Sequence, residues 1–191
     1  VLFRSSHLLL ENGARVNVQD INNNTPLHIA TREGFLEIAK DLIFHGANIN
    51  AEANYQMTAL HEAAKSGQLE VAKILIKHQA NLNATAKFAL TPLHEAASQG
   101  HRSIINLLVQ SNADINCRSE EGETPIIEAV KEKQWDAANM LIQLGCDVNV
   151  KDKKGNTILH QTIDDGEHLS FFKKLLMAGA DVEINDIDKA P

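Results

Sequence analysis

A six-residue phrase recurs along this chain at one fixed interval. It reads Thr25-Pro26-Leu27-His28-Ile29-Ala30 and returns from Thr58, Thr91, Thr124 and Thr157, each 33 residues after the last. A sustained period of that length restricts the chain to a stack of equal units. No unit buries its apolar face alone, and the core runs along the array. Chain length therefore does not count domains here. Composition says what the core is made of: 43% of residues are hydrophobic but only 4% are aromatic. The interior must be aliphatic and rich in alanine, which lets helices approach closely.

Each unit has the same internal logic. Thr25 is placed as an N-cap, and Pro26 suits the first helical position, where a missing N–H costs nothing. A short helix follows and ends near Gly34, where glycine permits a left-handed exit. A second helix carries apolar residues on one face: Ile38, Ala39, Leu42 and Ile43. The set returns as Val71, Ala72, Leu75, Ile76, then Ile104, Ile105, Leu108, Val109, then Ala137, Ala138, Leu141, Ile142. The unit closes with Gly46-Ala47-Asn48-Ile49-Asn50, echoed by Gly145-Cys146-Asp147-Val148-Asn149, before a projecting turn leads to the next Thr.

Over nearly its whole length the chain resembles the ankyrin-repeat family. The resemblance implies an all-α solenoid of helix–turn–helix repeats with projecting β-turn tips. Five repeats are expected at 20–52, 53–85, 86–118, 119–151 and 152–185, after an N-terminal half-repeat at 1–19. Residues 186–191 read as the opening of a further repeat, so the sequence is expected to be a piece of a longer array. The implied function is non-enzymatic binding of another protein.

Departures from the pattern mark places to inspect. Repeat four has Ile127 where the others have His, and Lys133 where they have Gly. Repeat five carries one extra residue before Phe171, which moves its apolar set to Phe171, Phe172, Leu175 and Leu176. Gln79 stands where a glycine would end a second helix, at some expected cost in stability. At the turn tips Gly122 and Gly155 match the family, but Gln56 and Ala89 replace glycine, so those two turns are expected to differ in shape.

The histidines His28, His61, His94 and His160 invite a metal hypothesis that their spacing rejects. Stacked helices lie roughly 8–10 Å apart, whereas zinc draws nitrogens to about 2.1 Å from one ion. The resemblance implies a structural role, each ring bonding its capping Thr and the neighbouring turn. No metal, cofactor or catalytic residue is expected. Glu62, Glu95 and Glu128 follow the histidine position in successive repeats, where the resemblance places a concave groove. Such a ladder is too open for paired-carboxylate catalysis; it reads as a solvated face or a groove with acidic selectivity. Cys117 and Cys146 stand where other repeats have Ala and read as buried thiols in a reducing compartment. Asn116 and Asn149 resemble hydroxylated ankyrin asparagines in their context; the simpler reading is that they stabilise the exit turn.

By resemblance, the tip residues are the contact positions. Tyr55, Met57, Phe88 and Leu90 fall on two adjacent tips and form an apolar cluster. The chain has one Tyr and six Phe, and exposed aromatic patches mark interfaces. Glu120, Glu121 and Glu123 at the next tip, with Glu95 and Glu128, form an acidic half. Glu62, Lys65, Glu95 and Gln99 line the neighbouring groove. The expected partner is a protein segment with an apolar anchor and basic residues. A net charge of −7 argues against nucleic acid and anionic membranes, and no apolar run reaches the roughly 18 residues of a spanning helix. A monomer is expected, in the cytoplasm, with the nucleus or export into a host cell as alternatives. The rival reading is a spacer array inside a larger channel, toxin or multidomain enzyme.

Overall fold

A computed structural model describes residues 7, 8, 11–163 and 169–182. After Asp20 the described chain forms five helix pairs: α1 (Pro26–Arg32) with α2 (Leu36–Phe44), α3 (Ala59–Ser66) with α4 (Leu69–Lys77), α5 (Pro92–Ser98) with α6 (Arg102–Gln110), α7 (Pro125–Lys131) with α8 (Trp135–Gln143), and α9 (Ile158–Ile163) with α10 (Leu169–Met177). The described residues contain no strand. The extra residue expected before Phe171 and the repeat expected to open at 186–191 lie outside the described residues, as do residues 1–6, 9 and 10 of the N-terminal half-repeat.

These helices are six to nine residues long, short of the roughly 12–15 that an isolated helix needs in water. Their stability comes from neighbours. The first helices α1, α3, α5, α7 and α9 stack in order as one layer; α2, α4, α6, α8 and α10 stack as a second; and the two members of each pair pack together. Between the layers, Leu27, Leu60, Leu93 and Ile126 meet Ala39, Val71, Ala72, Leu75, Ile104, Ile105, Leu108, Ala138 and Leu141, all buried. Ala63, Ala64, Ala96 and Ala97 are fully covered; their small side chains let the first helices lie close. Phe171 and Leu175 are buried in repeat five as expected, Phe172 is half-buried, and Leu176 faces outward. Cys117 is buried, but Cys146 is only half-buried. Its sulfur adds volume where Ala47, Ala80 and Ala113 carry a methyl, and part of it stays at the surface.

Side-chain ladders tie the units. The Oδ1 atoms of Asn17, Asn50, Asn83, Asn116 and Asn149 accept hydrogen bonds from the backbone N–H of Asn48, Asn81, Asp114, Asp147 and Asp181 in the next unit, at 2.8–3.0 Å. The exit-turn asparagines are therefore inter-repeat links as well as turn formers. A second ladder runs where first helices end: Gln68 Nε2 donates to the Arg32 carbonyl, and His101 Nε2 lies 3.1 Å from that of Lys65. A Cβ at Gly34 would meet the Gln68 amide at 2.5 Å and push that side chain off the Arg32 carbonyl, and the φ of +72° there favours glycine on its own. Gln79 does adopt the left-handed conformation expected of a glycine, φ +64°, a cost of roughly 1–2 kcal/mol.

The helix starts explain the recurring phrase. Thr25, Thr58 and Thr91 cap α1, α3 and α5, and the histidine three residues on reaches back to the capping residue's own N–H. Repeat four breaks this. With Ile127 in place of histidine, the Thr124 hydroxyl is buried without a hydrogen-bond partner. The Thr31 hydroxyl is likewise buried and unpartnered, at a place where Ala64, Ala97 and Val130 stand in other repeats.

This packing makes three substitutions informative. Leu93→Ala, at a site with no exposed surface, should cost about 2–5 kcal/mol in urea unfolding; a loss under about 1 kcal/mol would contradict the packing register. Thr91→Val should cost about 1 kcal/mol or more by removing a cap. Thr124→Val should be neutral or stabilising, because its hydroxyl caps nothing and an unmatched buried polar group costs about 1–3 kcal/mol.

Candidate binding site at the turn tips

Each tip is closed by the same hydrogen bond, from the N–H of its first residue to the carbonyl four residues on: Asp20 to Asn24, Ala53 to Met57, Ala86 to Leu90, Ser119 to Glu123 and Asp152 to Asn156, at 2.8–3.0 Å. What fills the loop differs. In the first and fifth tips the Asp20 and Asp152 carboxylates accept two backbone N–H groups each, at 2.8 Å. In the fourth the Ser119 hydroxyl accepts one. Ala53 and Ala86 offer no such acceptor. There the backbone turns over through two consecutive left-handed residues, Tyr55 and Gln56 (φ +61° and +60°), then Phe88 and Ala89 (φ +63° and +56°). The two tips thus differ in shape from the others, as expected, but the difference lies at Tyr55 and Phe88: the positions of Gln56 and Ala89 are left-handed in every tip, with Asn23, Gly122 and Gly155 there. Each left-handed non-glycine residue costs roughly 1–2 kcal/mol, so backbone strain is concentrated on these two neighbouring turns.

The strained tips wall a hollow of about 400 Å³. It brings together Tyr55, Met57, Phe88 and Leu90 from the tips with Glu62, Lys65 and Glu95 from the adjoining first helices. Tyr55 is 67% and Phe88 53% exposed, while Met57 and Leu90 are half-buried. Two contributions come from tip residues outside the apolar cluster singled out in the sequence. Asn22 and Asn24 close the hollow from the first tip. Lys87 lies across its mouth, its ammonium 5.1 Å from the centre of the Tyr55 ring and 4.6 Å from that of Phe88. The signal for Lys87 was its place directly before Phe88 on the tip. The signal for the strained turns was alanine at 53 and 86 where the period puts Asp at 20 and 152.

Of the acidic residues expected near this patch, Glu95 lines the hollow with it and the others do not. Glu121 and Glu123 line a separate hollow of about 260 Å³ that also contains Lys131, Asp152 and Lys154. Glu123 is half-buried and ion-paired to Lys131 at 2.8 Å, so it is not a free acid. Glu120 is exposed, and its backbone N–H donates to the Phe88 carbonyl at 2.7 Å, joining the fourth tip to the third. Glu128 is half-buried nearby; burial pushes its carboxyl up to about 7, which Lys131 opposes and Glu123 reinforces. Gln99 is exposed past the end of α5 and lines neither hollow.

The histidines set the height of the tips. Thr25, Thr58 and Thr91 donate their backbone N–H to Nδ1 of His28, His61 and His94 at 3.1–3.2 Å. Nδ1 must therefore be the bare nitrogen, and the proton sits on Nε2. Nε2–H points at the carbonyls of Met57, Leu90 and Glu123, at 3.0–3.1 Å. Each ring holds the base of the next tip, and Met57 and Leu90 are two of the residues that shape the hollow. With both nitrogens engaged, these rings have no lone pair for a metal. Among the described residues no three His, Cys, Asp or Glu side chains are grouped to hold one. The family model described as ankyrin repeats, in three copies, matches residues 5–86 and 93–186.

The chain belongs to the ankyrin-repeat family.

No curated protein matches it. Ankyrin repeats are in general protein–protein interaction modules, and no helix among the described residues is long and apolar enough to cross a membrane. The thiols of this ankyrin array are held in their unreactive form, burial pushing Cys117 up to about 11 and Cys146 to about 12.

The histidine ladder makes the ankyrin stack sensitive to acid. Burial lowers the His61 imidazole to about 4, and lowers His28 and His94 in the same direction. The unfolded chain therefore takes up protons first. The stability these rings confer is complete above about pH 6.5 and is lost as pH falls towards 4. Glu95 and Glu128, both raised by burial, act in the opposite sense over the same window. In a Glu128→Gln variant, which removes the larger opposing group, urea stability should fall by on the order of 2–3 kcal/mol between pH 7 and pH 4.5. Stability that stays flat or rises over that interval would mean that the imidazoles accept protons in place.

Proposed function

We propose that this ankyrin array binds a partner protein, without catalysis, through the tips of its second and third repeats. The observation that carries this reading is the hollow itself. A chain with a single tyrosine presents that tyrosine and a phenylalanine, 67% and 53% exposed, on adjacent turns above a half-buried Met57 and Leu90. Side chains folded back to mend their own turns would be covered; these are not. Aromatic anchors dominate hot spots. The tips hold them out on backbone that departs from the relaxed turns on either side, and strain of this kind persists at binding sites because the surrounding structure over-determines it.

The partner segment carries an apolar anchor that reaches Met57 and Leu90, and basic residues around it. The exposed carboxylates of Glu120 and Glu121 steer its approach, since charges at a rim act on association more than on the lifetime of the complex.

The test is capture of a partner by the intact chain, followed by substitution. Tyr55→Ser with Phe88→Ser should abolish binding, as truncated hot-spot aromatics cost about 2 kcal/mol or more each. The circular dichroism spectrum should be unchanged, because the tips lie outside the helical layers. Glu120→Lys with Glu121→Lys should slow association and flatten its salt dependence with little change in the off-rate. Affinity unaffected by the aromatic pair would move the site to the groove residues Glu62, Lys65, Glu95 and Gln99.

A further inference from the structure

The ring faces in the hollow are already in use. Lys87 lays its ammonium over both Tyr55 and Phe88, at 5.1 and 4.6 Å from the ring centres, inside the roughly 6 Å over which a cation is attracted by an aromatic face. Lys87 itself is exposed, so nothing buries it there. It is held there by the rings. The wall below carries two carboxylates, Glu62 and Glu95, and one other ammonium, Lys65. With Lys87 in place the charges balance; with Lys87 swung out to solvent the hollow is left with an excess negative charge. Burial holds the Glu95 carboxyl above its usual range, with Lys65 opposing and Glu62 adding to the shift. A second cation at this depth would therefore be stabilised more than one at the open surface.

We propose that the Tyr55 and Phe88 rings, with Glu62 and Glu95 below them, form a subsite for a guanidinium side chain of the partner protein, and that Lys87 is its internal occupant in the free chain. The proposal rests on the reading that these tips dock a protein, and it names the group that enters between the rings. Arginine is favoured over lysine for three reasons. Its planar cation stacks on an aromatic face, it is more weakly hydrated than an ammonium, and its forked donors match a carboxylate with two bonds. The same differences let it displace Lys87, whose ammonium regains full hydration when it leaves. Met57 and Leu90 remain available for the apolar residue beside the arginine, so one segment satisfies both parts of the hollow.

The probe is a five-residue peptide, acetyl-Gly-Leu-Arg-Leu-Gly-amide, compared with the same peptide carrying citrulline. Citrulline keeps the shape of arginine and lacks its charge. Binding to the full chain is followed through the NMR signals of the Met57 methyl and the Tyr55 ring. The arginine peptide should bind at least five-fold more tightly than the citrulline peptide. Lys87→Ala should strengthen arginine binding several-fold by removing the competitor. Tyr55→Leu with Phe88→Leu keeps apolar bulk without the π faces, and should erase the arginine preference while circular dichroism shows an intact fold. Equal affinity for both peptides at Met57 would overturn the guanidinium subsite and leave apolar docking at the tips standing. Movement of neither signal by either peptide would overturn both. An arginine preference that survives the leucine pair, or arginine binding weakened by Lys87→Ala, would overturn the role assigned to the rings and to Lys87.

Discussion

The bond from a capping threonine, through a histidine ring, to the carbonyl of the next turn is the interaction on which the rest of this structure depends. It satisfies a donor at the start of one helix and fixes the imidazole as its Nε2–H tautomer. It then spends that proton on the unit that follows. Helices of six to nine residues cannot hold themselves together, and in a stack of them each unit has only its neighbours to lean on. Register must therefore be set at every joint. The aspect that makes the ring effective, its burial, also makes it vulnerable to protons. Where the ring is missing, at Ile127, the apolar side chain is fully buried and fills the space, but the Thr124 hydroxyl loses its partner.

Two further ladders share the load. The asparagine side chains link exit turns on one edge, and backbone bonds link tips on the other: Asn54 to Asn22, Glu120 to Phe88 and Lys153 to Glu121. Against this redundancy the second and third tips are exceptional. They lack the aspartate that folds over the turn at Asp20 and Asp152, and they place four non-glycine residues in the left-handed region. Local rules are broken together on adjacent turns, at the place where the aromatic side chains stand out. Proteins tend to violate local consistency at functional sites and recover the cost elsewhere. Here the recovery comes from a uniform, well-linked core beneath.

Much of the candidate site was legible before the structure. The period alone placed Tyr55, Met57, Phe88 and Leu90 on neighbouring tips, because equivalent positions in a solenoid are adjacent in space. Glu62, Lys65 and Glu95 were placed beside them by the family resemblance, which puts their positions on the concave groove. The acidic half was less legible. Glu123 looked like one more exposed carboxylate in a run of them. It is instead half-buried and paired with Lys131, eight residues away on a helix that folds back beneath the tip. Period tells which residues share a position, but not which way a long side chain turns. Lys87 shows the same limit. It was visible as a tip residue, while its lie across two rings depends on how two strained turns aim those rings.

The sequence by itself determined the architecture: the helix pairs, their order, the apolar stripe of each second helix and the capping threonines. It could do so because every one of these is a local pattern repeated at a fixed interval, and repetition converts local pattern into spatial neighbourhood. Tertiary structure alone decided the conformation of the two tips, the depth of Glu95 and Glu128, the half-exposure of Cys146 and the lodging of Lys87 between Tyr55 and Phe88. Those depend on burial and on backbone direction where successive units meet, which are set by the packing of one repeat against another and leave no periodic trace in the chain.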